Sequence, residues 1–239
     1  MVDTDGTITP SLISEEDLIE SLVISGGYTA RNAVGLEIDY YNKSYARAQE
    51  ATNNTNFNEY KMYGGRIRCN VSDNGNITAF YGDPNYKDDG SNGQVMVYQP
   101  RFYYQRIPVR TSVNTIGKVI EKDSIIISYT EQNGFKLHPA FKTSTGEELE
   151  YILLSAYEGS LFDVSENKYL DRTPTNVDFN NDKLSSVGGT KPITGTSALT
   201  LQRAEQLARN RGSGWHITTL AAENINQMLG LVEFGTMNG

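Results

Sequence analysis

The sequence predicts an α+β protein: a helical N-terminal arm, a β-rich middle block and a mixed C-terminal domain with two helices. Three observations predict it. Apolar residues recur at helical spacing near both ends of the chain, and short runs bounded by Asn, Asp and Gly fill the middle. The 239 residues also allow one to two domains, at about 100–200 residues each. The expected divisions are 1–35 (arm), 36–130 (β-rich domain) and 131–239 (mixed domain).

Within residues 1–35, Ser14 and Asp17 fit a capping box, and Leu18, Ile19, Leu22 and Val23 form an apolar stripe that Gly26-Gly27 ends. So short a helix is not stable alone. It is either docked on its own domain or an oligomerising or anchoring arm. Tyr45–Glu50 reads as a helix ending in the Asn53–Asn56 turn. From Gly64 the texture becomes β. Arg66–Val71 and Asn76–Tyr81 flank Asp73-Asn74-Gly75, where Asn-Gly supplies the positive φ of a tight turn. Asp83–Gly93 is a polar loop and Val95–Arg106 a strand. Val119–Glu121 and Ser124–Tyr129 form a hairpin about Lys122-Asp123.

Further on, Leu149–Tyr157 is a buried strand bounded by Gly146 and Gly159, and 168–192 is loop-like. Thr200–Arg211 is an amphipathic helix with Leu201, Ala204, Leu207 and Ala208 on one face, ended by Gly212. Thr219–Val232 is a second helix, with Leu220, Ile225, Met228, Leu229 and Val232 spaced for burial.

Composition limits the functional classes. With 21 Lys+Arg against 29 Asp+Glu the net charge is −8, so counterion release gives no general affinity for nucleic acid. No run of about 18 apolar residues is present, which excludes a membrane-spanning helix. The 15 Tyr against 8 Phe and one Trp suit a hydrated β-rich contact surface better than a deep enzyme core. Cys69 is the single cysteine, which rules out an intramolecular disulfide and any cysteine-built metal site. Met1–Asp5 is acidic and lacks a signal peptide's apolar core, so the chain is expected to be made in a reducing compartment without conventional export.

The candidate chemistry is sparse. Asp83–Gly90 fails calcium-loop spacing because Lys87 falls where an oxygen ligand is required, and 178–183 fails it because Lys183 takes the place of the glycine. Both read as solvated turns. His138, held among apolar neighbours beside Pro139, reads as a hydrogen-bonded structural histidine, and His216 likewise. Trp215 reads as a core anchor between the two helices. No nucleophile elbow, phosphate loop or dinucleotide-binding glycine pattern occurs. No catalytic, cofactor or metal residues are assigned, and no cofactor is expected.

Met62–Arg66, Asn92–Val97, Gly134–Phe141, Leu153–Ser160, Asn210–Trp215 and Glu233–Asn238 occur in an order that resembles structural proteins of tailed phages and prophages. The C-terminal part resembles the C-type-lectin-like fold of formylglycine-generating enzymes and phage tropism determinants. The resemblance spans roughly 36–238. It implies a virion fibre or receptor-binding protein, non-catalytic and located in the virion. Its expected partners are other virion proteins, further copies of itself in a trimer, and a host-surface glycan, without nucleic acid or membrane insertion. The catalytic cysteines of the enzymes have no counterpart, since Cys69 lies far upstream. Leu18, Ile19 and Leu22 are then the virion-anchoring residues, and the ligand-binding residues are unknown. The chain is expected to stop inside its last domain, because such proteins continue beyond Thr236-Met237-Asn238. The alternative is a head fibre, decoration or baseplate connector that binds only virion proteins.

Overall fold

In the computed structural model, residues 33–170, 177–194 and 199–236 are described. The anchoring candidates Leu18, Ile19 and Leu22, with the helix expected around them, lie outside the described residues. The fold is mixed and sheet-rich, in keeping with the α+β class.

A five-stranded antiparallel sheet has the order β2-β1-β7-β6-β8. Its strands are β1 (Ala33–Asp39), β2 (Ser44–Gln49), β6 (Tyr103–Asn114), β7 (Gly117–Ser128) and β8 (Lys136–Leu137). A four-stranded sheet, β4-β3-β5-β9, is built from β3 (Ile67–Val71), β4 (Ile77–Phe80), β5 (Gln94–Pro100) and β9 (Tyr151–Ser155). The third sheet, β11-β10-β12, contains β10 (Ser160–Asp163), β11 (Lys168–Leu170) and β12 (Lys183–Ser185). Among the described residues three α-helices accompany them: the single turn α1 (Lys61–Gly64), α2 (Leu201–Arg209) and α3 (Leu220–Phe234).

Alternation makes the larger core. Val34, Leu36 and Ile38 of β1 share one face of the sheet, and α3 lays Ile225, Leu229 and Val232 into the same cluster. Phe102 and Phe141 are fully buried there. A second cluster, Cys69, Val71, Phe80, Met96 and Tyr98, lies on one face of the four-stranded sheet. Strands from both sides of position 130 share sheets: β9 pairs with β5, and β8 with β6.

The Asp73-Asn74-Gly75 hairpin forms as expected, with Gly75 at φ 85°. Both long helices begin at the expected threonines. Thr200 Oγ1 accepts from the Arg203 amide and Thr219 Oγ1 from the Ala222 amide.

Five expectations are corrected. Tyr45–Glu50 is largely strand β2, not helix. Asp39 caps the preceding turn by accepting from the Tyr41 and Asn42 amides, and Lys43 takes φ 53°. That turn folds β2 onto β1, and sheet pairing overrides the helical preference of its alanines. Val95–Arg106 is two strands: the chain leaves one sheet at Pro100 and enters the other at Tyr103, with Phe102 filling the core between. No turn occurs at Lys122-Asp123. β7 runs through it, and the hairpin turns at Asn114–Gly117, where Asn114 Oδ1 accepts from the Ile116 amide and Gly117 has φ 127°. The 168–192 segment contains β11 and β12, too short to show a period. Finally, Leu201 and Leu220, first residues of their helices, are 69% and 92% exposed rather than buried.

Candidate ligand groove

Among the described residues, a concavity of about 1060 Å³ runs along β9 and faces the segment joining α2 to α3. One wall is Tyr151–Leu154 with Leu149 and Pro139. The other is Gly214, His216–Thr219 and the first turn of α3. β9 is an edge strand, paired only with β5 among the described residues. The bonds Arg101 N–H to Glu150 O (2.8 Å) and Ala156 N–H to Val95 O (3.2 Å) set the alternation. Leu153 therefore turns its backbone away from β5, toward the edge.

The apolar wall is firmly supported. Tyr151 stacks on Tyr98 with ring centroids 4.5 Å apart, and Leu153 packs beside it on the second cluster, while Ile152 reaches the larger core from the other face. The polar rim carries Lys142, Thr143, Ser144, Glu150, Glu205, Arg209 and His216. Glu205 organises this rim. One carboxylate oxygen accepts from Arg209 Nε (2.6 Å) and the other from the Ile217 amide (3.1 Å). Burial works against its charge, but the Ile217 amide and Arg209 outweigh it and hold the Glu205 carboxyl below its ordinary range. A single residue of α2 thus fixes the loop that forms the far wall.

His138 lies outside this groove and is fully buried. Its Nδ1 accepts from the Ala140 amide (3.3 Å), so the neutral ring carries its proton on Nε2 and donates to Asn224 Oδ1 (3.1 Å). Burial lowers its pKa, and the Asn224 bond only partly opposes that. This is the structural histidine the sequence implies. Asn224 also lines a second cleft of about 380 Å³ between α3 and Tyr104, Arg106 and Ile125 of the sheet.

His216 is exposed on the groove rim, its Nδ1 2.7 Å from the Ile217 carbonyl oxygen. Trp215 is not a wedge between helices. It is half-buried against the four-stranded sheet and donates from Nε1 to Asp73 O (2.8 Å). Asp83, Asp89 and Asp178 spend their carboxylates on amides two residues ahead, the Asx-turn chemistry of ordinary turns. Among the described residues, no group of three or more His, Cys, Asp or Glu is placed to hold a metal. No helix among them is long and apolar enough to cross a membrane.

Sequence reasoning missed Tyr151, Glu205 and Arg209 as groove residues. The i,i+4 spacing of Glu205 and Arg209 is a legible signal of a helix-surface pair. Nothing local indicates that the pair holds a loop. No protein-family model, curated protein or solved structure matches the chain.

Proposed function

We propose that this chain is a non-catalytic virion fibre or receptor-binding protein of a tailed phage. Its residues 131–239 belong to a C-type-lectin-like domain that attaches the particle to a host-surface glycan. The ordered motifs supply the phage assignment. The observation that carries the binding role is the β9 groove, where an apolar wall containing Tyr151 faces a rim of hydroxyl, carboxylate, guanidinium and imidazole groups. Sugars present apolar ring faces edged by hydroxyls, and such a wall-and-rim arrangement matches both.

The test is binding of purified full-length chain to host cells or cell-wall material, with competition against phage adsorption. The chain is expected to bind and to slow adsorption. Exchanging the exposed rim residues Arg209 and His216 for Ala is expected to weaken binding by about tenfold, equivalent to about 1.4 kcal/mol, with unchanged far-UV circular dichroism. Absence of both cell binding and competition overturns the proposal.

A further inference from the structure

Exposed aliphatic side chains are concentrated on one element. Among the described residues, the β6–β7 pair has no third strand beside it beyond Lys122: β1 ends opposite Lys122 at Asp39, and β8 reaches Tyr103 and Tyr104. The distal ribbon continues to the Asn114–Gly117 turn as the β6–β7 pair. It exposes Val109 (47%), Val113 (82%), Ile116 (93%) and Val119 (37%), and Ile107 at its base is 39% exposed. A two-stranded ribbon is marginally stable in water, and here Val113 and Val119, on opposite faces by their pairing with Lys118 and Ser112, leave apolar side chains exposed on both sides.

Charge indicates what covers it. From Tyr104 to Val119 the chain carries Arg106, Arg110 and Lys118 and no carboxylate, in a protein of net charge −8. Arg106 pairs with Asp123 at the base, and Arg110 pairs with Asp39 of β1 and with Glu121 on the facing strand; in each pair the cation is the more exposed partner. Arg106 is 54% exposed against 0% for Asp123, and Arg110 is 46% exposed against 14% for Asp39 and 30% for Glu121. Solvent therefore meets aliphatic groups and cations. An acidic protein surface complements this, whereas a second ribbon would oppose like charge to like.

We infer that the β6–β7 ribbon is a self-association arm that docks on the acidic body of a second copy of this chain. The geometry is heterologous, arm to body, and closes a ring when each copy both gives and receives an arm. The arm lies apart from the β9 groove, so the inference stands independently of glycan attachment.

The experiment is sedimentation velocity on the purified full-length chain, compared with the V113D/I116D and K118E variants. Wild type is expected to form a discrete oligomer at micromolar concentrations that loosens as salt is raised. V113D/I116D is expected to weaken association by about tenfold or more, and K118E by less. Both variants should retain the wild-type melting temperature, because the substituted side chains are exposed. A monomeric wild type overturns the inference, as does an oligomer that both variants leave intact. So does a variant that self-associates normally but fails to join particles, since the arm then docks on a different virion protein. Cell binding measured on the same variants reads the groove separately.

Discussion

His138 couples folding to protonation through one ring. Its aromatic neighbours Phe102, Tyr104 and Phe141 exclude water, and its Nδ1 is already committed as an acceptor. Protonation therefore breaks a bond as well as charging a buried ring. In the unfolded chain His138 titrates near its ordinary value of about 6.5, whereas in the fold its pKa is lower. Above about pH 7 both states are neutral, and this residue gives stability no pH dependence. As the pH falls below about 6.5, the unfolded chain binds a proton that the folded chain refuses, and stability declines. Thermal melts are expected to show this loss between roughly pH 6.5 and 5, above the range in which the lowered carboxyls Asp39, Asp73 and Asp89 titrate. His138→Gln should flatten that part of the profile, at a cost of about 1–3 kcal/mol in neutral solution.

At the scale of elements, β2 and α3 are joined by Arg47. Its guanidinium donates to the carbonyls of Val232 and Glu233 (2.7 Å for Glu233) at the C-terminal end of α3, where the helix dipole is negative and four carbonyls lack intrahelical partners. Gly235 closes the same end at φ 66°, its amide donating to Leu231 O. Arg47→Ala is expected to cost about 1–2 kcal/mol. Hydrogen exchange should locate the loss in the last turn of α3, and uniform deprotection instead would show that Arg47 acts by packing alone. This contact also explains one misreading. Tyr45-Ala46-Arg47-Ala48 has good helix formers, but Tyr45 and Arg47 share a period-two face whose purpose appears only when α3 is in place. The helices themselves were legible, because threonine caps and a 3.6-residue repeat act locally. Leu201 and Leu220 fit the same repeat and yet are exposed, because a local repeat does not say where the packed surface begins. The break before Phe102 has a local signal in Pro100-Arg101, but nothing local shows that the strands on either side join different sheets.

In the whole molecule, the Asp73 turn is a junction between the four-stranded sheet and later segments. Its carboxylate receives Lys183 Nζ (2.7 Å) from β12 and Arg211 Nη1 (2.6 Å), and its carbonyl receives the Trp215 indole. Burial opposes the charge, but Lys183 and Arg211 prevail and keep the carboxyl below its usual range. Arg211 is nearly buried and also donates to Leu184 O and Ser185 Oγ. Asp73→Ala therefore strands a buried cation. A loss of about 2–3 kcal/mol is expected, below the range for fully buried pairs because Asp73 is itself 41% exposed. The chain's one tryptophan adjoins the site, so its fluorescence should red-shift on substitution, and unchanged emission and melting would refute the junction. Asp73-Asn74-Gly75 was legible as a turn. Its second use was not, because Arg211 lies 138 residues away. The groove shares this property: its two walls meet only in three dimensions.

Arg47 meets Val232 across 185 residues, and that separation has a consequence for biosynthesis. Translation at about 5–20 residues per second leaves roughly 10–40 s between the emergence of β2 and that of the helix it caps. Throughout that interval Val34, Leu36 and Ile38, joined by Ile127 once β7 is made, lack the helix that covers them. The nascent chain is then a sheet with one sticky face, a natural client for ribosome-associated chaperones until α3 arrives.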